Sequence, residues 1–354
     1  MLGSEMGASL INALVSLTQV GNRDQFRRAF AAVTVNDVFN FLSYFILMPI
    51  EVGTGVIEKI SGAIVQPLSG VKASEIKTLN FLTDPVLNYI IRALLGGQIG
   101  ILVRKLMDKD LPWPFTCFTN YVVMVVGCVI VMIIQSSGVF RAVLTPLVGI
   151  GVVTLERLYP LLLGANVGTT FTGVLAAFSA DPAKIKETLQ MALAQTVYNL
   201  IGVILFYPIP FMRRIPINIA KKLANKTSKY RWFALIYIAV IFFILPIYLF
   251  GVSFLPLPIM LSMICIPLGF FAILILINYI QVKCPGNLPQ KLRSWNFLPD
   301  YLHSLHPYDK AMTRYCTKIS FCRKFWHRNA DDIDLREGNR DMETLFKLSH
   351  QTQV

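Results

Sequence analysis

The sequence is short of charge. Asp, Glu, Lys and Arg make up 15% of its 354 residues, where a soluble domain usually carries about 25%. That deficit excludes a disordered chain and argues against a water-soluble enzyme. Histidine is scarce too: His303, His306, His327 and His350 all lie near the C-terminus and none pairs with a Cys-x-x-Cys. No zinc-type spacing results, and no Ser/His/Asp set or phosphate-binding glycine loop lies among the apolar segments. The chain therefore reads as a non-enzyme without a resident cofactor. Cysteine is sparse, with Cys117, Cys128 and Cys265 inside apolar runs, where small buried thiols are ordinary.

What the chain has is apolar length. Hydrophobic residues reach 55% and the mean hydropathy is +0.57. They are grouped into runs over 115–134, 158–180, 189–211, 232–254 and 256–280. Each is close to the roughly 20 residues that a helix needs to cross the hydrocarbon of a bilayer. The fold class is an all-α polytopic membrane protein.

The net charge of +13 sits between these runs. Arg213, Arg214, Lys221, Lys222, Lys226, Lys229 and Arg231 fill 213–231 with no acid among them, and Lys and Arg again dominate 283–328. Both segments read as cytoplasmic by the positive-inside rule. The two spans between them return the chain to one side, so charge and parity agree. A nucleic-acid binder would instead show a basic stripe on a soluble domain, and no nucleic-acid partner is expected.

An internal repeat is present. Gly3-Ser4-Glu5-Met6-Gly7-Ala8-Ser9 resembles Gly164-Ala165-Asn166-Val167-Gly168-Thr169-Thr170. Val38-Phe39-Asn40-Phe41 matches Val197-Tyr198-Asn199-Leu200, and Met48-Pro49-Ile50 matches Tyr207-Pro208-Ile209. Repeats of this size, built of membrane segments, point to a transporter made of two halves. The loop 21–28 reads cytoplasmic and its counterpart 181–187 external, which makes the halves inverted. About 50 residues precede Gly164 in the second half but only Met1 and Leu2 precede Gly3. The first repeat is thus expected to be incomplete.

The expected organisation follows. Residues 1–78 form the incomplete first membrane repeat, and 79–112 a shortened connection that includes a weak or partly re-entrant segment over 78–103. Residues 113–212 form the second repeat, 213–231 a basic cytoplasmic loop, 232–282 two transmembrane helices, and 283–354 a cytoplasmic tail.

Polar groups inside the apolar runs mark the candidate site. Gln135, Ser136 and Ser137 follow one long run; Asn166, Thr169 and Thr170 interrupt another between Gly164 and Gly168. Breaking a helix frees carbonyls which, with amide and hydroxyl oxygens, suit a partly dehydrated sodium ion, while its N-terminal N–H groups suit an anion. Plainer readings stand beside this one. Membrane Ser and Thr mostly bond back to their own helix, and a Gly-xxx-Gly pattern mostly packs helices. Asp37, an acid in the apolar span 29–48, is functional by default, unless it bonds to Asn36 or Asn40.

These residues resemble the type II sodium-coupled phosphate cotransporters. Ile134-Gln135-Ser136-Ser137, Leu144-Thr145-Pro146-Leu147-Val148-Gly149-Ile150-Gly151-Val152 and Leu163-Gly164-Ala165-Asn166-Val167-Gly168-Thr169-Thr170 follow that family's pattern. So do Phe26-Arg27-Arg28-Ala29-Phe30-Ala31, Tyr207-Pro208-Ile209-Pro210-Phe211, and Trp295-Asn296-Phe297-Leu298-Pro299. The resemblance implies sodium-dependent symport of inorganic phosphate across a plasma membrane, apical in an epithelium, by alternating access. It implies that Gln135, Ser136, Ser137, Asn166, Thr169, Thr170 and Asp37 contact substrate or sodium, with Glu5 and Ser9 as first-repeat equivalents. Glu5 stands where the family has Asn, Gly138 replaces a Ser, and the first-half Gln-Ser-Ser-Ser hairpin and large external loop are missing. Two alternatives stay open: a transport-incompetent truncated isoform acting as an assembly or regulatory partner, and a sodium-independent anion channel. Finally, Thr352-Gln353-Val354 has the form of a PDZ-domain ligand.

Overall fold

The computed structural model describes residues 2–68, 118–178 and 184–283, with Pro289, Arg293 and Tyr308. The connection expected over 79–112, the 78–103 segment within it, and Thr352 and Val354 lie outside these residues, as does the side chain of Glu5. Every regular element among the described residues is helical. Two units divide the chain, Met1–Lys229 and Tyr230–Val354.

The first unit holds eight described helices: α1 (Leu2–Leu17), α2 (Arg23–Thr54), α3 (Val56–Leu68), α4 (Thr119–Ile134), α5 (Ser137–Gly149), α6 (Leu155–Ala177), α7 (Ile185–Phe206) and α8 (Pro210–Lys229). Of these, α2, α6 and α7 are long and apolar enough to cross a membrane. Asn22 starts α2 by accepting N–H bonds from Asp24 and Gln25 at 3.0 and 3.2 Å, which satisfies two of the donors a helix start leaves over. Gly55, at φ 60°, ends it. The Glu51 carboxylate then caps α3 through the Ile57 and Glu58 N–H groups.

The tightest packing is that of α4 along α6, and glycine makes it possible. A Cβ at Gly164 would lie 1.8 Å from the Met124 carbonyl oxygen, one at Gly127 2.3 Å from that of Leu161, and one at Gly168 2.5 Å from that of Cys128. Without side chains there, the two backbones meet directly, the contact that lipid-embedded helices exploit. Phe39, Tyr159, Phe206, Tyr207 and Tyr121 continue the core as a chain of ring contacts from α2 through α6 and α7 to α4.

Three local expectations are corrected. The segment 213–231, read as a loop, is mostly the helix α8. Its buried residues Ile217, Ala220, Ala224 and Thr227 recur at helical spacing, and it packs on α2, leaving the lysines outward. The run over 189–211 stops at Phe206, because Pro208 and Pro210 cannot extend an α-helix. And α6 is unbroken through Asn166 and Thr170: Gly164 and Gly168 serve close packing and do not interrupt the helix.

In the second unit, α9 (Trp232–Ala239), a π-helical turn (Val240–Ile244) and α10 (Leu245–Ser253) run on as one span. The π turn lies just before Pro246, whose missing N–H disrupts regular α bonding. α11 (Leu257–Lys283) follows, and the Tyr248 hydroxyl donates to the Met263 carbonyl at 2.6 Å. Ile247, Phe250 and Ile266 are about two-thirds exposed or more, which suits lipid as the surrounding solvent.

Candidate functional site

The chain is broken between α4 and α5, where the Gln-Ser-Ser motif stands. Gln135 adopts φ 55°, a left-handed conformation that a non-glycine residue takes at a cost. Ser136 is the N-cap of α5 and accepts from the Val139 N–H at 3.3 Å. Two short apolar helices of 16 and 13 residues therefore replace one long span. At its far end α5 is held by Arg28, whose Nε donates to the Gly149 carbonyl at 2.8 Å. A cation there satisfies a carbonyl that the helix end leaves free.

The polar centre is Asn166 on α6, only 2% exposed. Its Oδ1 accepts from Nη2 of Arg141 on α5 at 2.5 Å. Its Nδ2 donates to Oδ1 of Asn36 at 3.0 Å and of Asn40 at 3.4 Å, both on α2. Nη1 of Arg141 reaches the Ser9 hydroxyl on α1 at 3.4 Å. The Tyr198 hydroxyl on α7 donates to the Asn40 carbonyl at 3.4 Å. Three helices thus meet at one carboxamide, and bonds to Arg141 and to the Asn40 carbonyl tie in α1 and α7. The Nδ2 groups of Asn36 and Asn40 are buried and find no acceptor among the described residues, which leaves donors for a ligand or water. Beside them Ser9, Asn12, Asn36, Arg141 and Thr145 line a small cavity with room for about one water molecule.

The site residues expected from sequence separate into groups. Asn166 and Ser9 are brought together through Arg141. Asp37 is fully buried on α2, one residue along from Asn36. Ser137 is buried at the start of α5, while Gln135 is exposed at the bend. The Thr169 hydroxyl bonds back to the Ala165 carbonyl at 2.8 Å, and that of Thr170 to Val167 at 3.0 Å. Thr169 is exposed. Both threonines therefore make the intrahelical bonds that lone membrane hydroxyls usually make.

Arg141, on α5 just after the Gln-Ser-Ser motif, is the residue that sequence reading passed over. Its signal was available. A charge at the centre of a membrane helix costs about 2.5–3.5 kcal/mol on the insertion scale, so a lone Arg within a 13-residue apolar helix must have partners.

A second, wider cavity of about 550 Å³ opens between α2, α3 and α7. Glu51, Glu58 and Glu187 lie on its wall, and this makes it unsuited to an anion.

A bundle of apolar helices enclosing a buried, charged and amide-rich centre defines a polytopic membrane protein. The comparisons narrow that class. The pattern of the Na+/Pi-cotransporter family matches residues 114–245. The sodium-dependent phosphate transport protein 2B of Bos taurus is 32% identical, covering 88% of this chain and 61% of that protein. Protein 2A of Oryctolagus cuniculus is 33% identical over 88% of this chain and 63% of its own length. Protein 2B of Homo sapiens is 31% identical, with 91% and 63% covered. No solved structure matches. Over most of its length the chain is similar to sodium-dependent phosphate transport proteins. It spans about three fifths of the length of these curated relatives.

Proposed function

We propose that the protein carries inorganic phosphate across the plasma membrane together with sodium ions, by alternating access, as its relatives' names suggest. The observation that carries the reading is the amide centre: the Asn36, Asn40 and Asn166 side chains meet in the interior of helices otherwise built of apolar residues. Amide oxygens can replace the hydration shell of sodium, and the Asn36 and Asn40 amide nitrogens can donate to a phosphate oxygen. The cavity beside them is too small for phosphate in this conformation, so the helices around it must part to admit it.

The α4–α5 break is read as a re-entrant hairpin, with Gln135, Ser136 and Ser137 at the edge of the phosphate path. Asp37, Asn166, Thr169 and Thr170 are read as sodium-side residues, and Glu5 and Ser9 as the first-repeat counterparts. Asn40 and Asn199, at matching repeat positions, are both buried, which fits two related halves, and the halves are read as inverted. The membrane is read as the apical plasma membrane of an epithelium and the C-terminus as cytoplasmic, with Thr352 and Val354 as a PDZ-domain ligand and no cofactor beyond the coupling ion. Purified protein in liposomes is expected to accumulate radiolabelled phosphate under an inward sodium gradient and not under a choline gradient. Asn166→Ala is expected to cut that uptake at least about tenfold, since it removes the amide to which the other groups bond. Equal uptake in choline would overturn sodium coupling.

A further inference from the structure

We propose that Arg141 is a built-in cation that stands in for one coupling sodium ion. The proposal deepens the sodium-coupled reading of the Asn166 centre and rests on it.

Position carries the first part of the argument. The two oxygens that Arg141 engages, Oδ1 of Asn166 and Oγ of Ser9, both belong to the set expected to serve sodium or substrate in the two repeats. An oxygen that accepts from a guanidinium already faces a full positive charge. A sodium ion at the same oxygens must displace that charge or sit against it, and in a low-dielectric interior that repulsion is strong. In this conformation the adjoining cavity has space for about one water molecule and no room for a phosphate ion that could balance Arg141.

Charge balance carries the second part. Among the described residues of the first unit, the buried charged side chains are Asp37, fully buried, and Arg141, 6% exposed. One is negative and one positive. Asn166 bonds directly to Arg141 and to Asn36, and Asp37 is the next residue of α2, so both charges lie in the same helix bundle, within a distance at which charges act strongly on each other in a low-dielectric interior. Buried charges persist only where they are balanced. A carboxylate alone would call for a mobile cation, whereas an arginine cancels it permanently, since a guanidinium stays protonated at any physiological pH. A tethered charge moves with no substrate, so a cycle with Arg141 in place carries one sodium ion fewer than a cycle without it.

Sodium binding tests this without relying on transport. Thermal unfolding of the detergent-solubilised full chain is measured in NaCl and in choline chloride at equal ionic strength. Wild type is expected to gain little from sodium at this centre. Arg141→Gln leaves Asp37 to be balanced by a free ion, and its half-saturating sodium concentration is expected to fall at least about tenfold. Arg141→Lys keeps the charge and is expected to retain the weak sodium response of wild type. The double variant Asp37→Asn/Arg141→Gln removes both charges and is expected to lose the gain.

Equal sodium responses in wild type and Arg141→Gln would overturn the proposal, and so would a gain that survives in the double variant. Should Arg141→Gln fail to fold, wild type against Asp37→Asn decides. A sodium stabilisation of wild type that Asp37→Asn abolishes would mean that sodium, and not Arg141, balances the acid. If Arg141→Gln instead lost stabilisation by inorganic phosphate with its sodium response unchanged, Arg141 would be an anion ligand and the proposal would fall. Phosphate uptake in liposomes is read separately. The expected sodium pattern without any uptake would remove the transport reading and leave the charge assignment standing.

Discussion

Gln135 and Asn166 show how differently two polar residues of one sequence pattern can be used. Gln135 is exposed and contributes its backbone, at φ 55°, to turning the chain between α4 and α5. Asn166 is buried and contributes its side chain, with both amide edges bonded. Backbone and side-chain roles at Gln135 can be separated, because glycine relieves the left-handed conformation while deleting the amide. Gln135→Gly is expected to hold or raise thermal stability, by up to about 1 kcal/mol. If the Gln135 amide belongs to the phosphate path, sodium-driven phosphate uptake falls at the same time. Unchanged uptake would confine Gln135 to the turn. Arg141 was legible in principle as a lone charge in an apolar helix, but its partners were not. Ser9 lies 132 residues away, and no local pattern links them.

Among the elements, α6 carries the clearest division of labour. One face presents Asn166 to the polar centre, and Gly164 and Gly168 bring the helix onto α4. The glycines were visible in the sequence as a Gly-xxx-Gly pair, and the choice between a broken helix and a packed one was not. What decided it is the carbonyl of Met124, 1.8 Å from where a Gly164 Cβ would stand. Gly164→Ala is therefore expected to destabilise the protein by about 1–3 kcal/mol or more, since backbone cannot yield as a flexible side chain can. Gly173, on the same helix, has nothing within 4 Å of its Cβ position. Gly173→Ala is expected to stabilise by roughly 0.5–1 kcal/mol through helix propensity alone. Thermal unfolding of the two variants in one detergent would show opposite signs. The helix α8 also illustrates the limit of charge reading: its lysines masked an apolar stripe over Ile217, Ala220 and Ala224 that packs on α2.

For the whole molecule, membrane sidedness is the open prediction. Trp232–Ser253 and Pro258–Gln281 are long and apolar enough to cross a membrane, basic residues flank them on both ends, and two crossings would return the chain to the side it left. Cysteines introduced at Lys222 and Lys283, in a background without native thiols, are expected to react with an impermeant maleimide only after the cells are permeabilised. Labelling of one of them in intact cells would break the parity on which the orientation rests.

The membrane class and the approximate spans were settled by sequence alone, because hydropathy is a sum over a local window and needs no partner. The resemblance to sodium-dependent phosphate transport proteins was legible there too, because the Gln-Ser-Ser and Gly-Ala-Asn-Val-Gly-Thr-Thr motifs are contiguous. Only the tertiary structure decided that Asn166 meets Arg141, Asn36 and Asn40, that α6 runs unbroken, and that Thr169 and Thr170 bond to their own helix. The partners of Asn166 come from helices far apart in the chain, and their meeting depends on how closely the glycine-lined backbones approach.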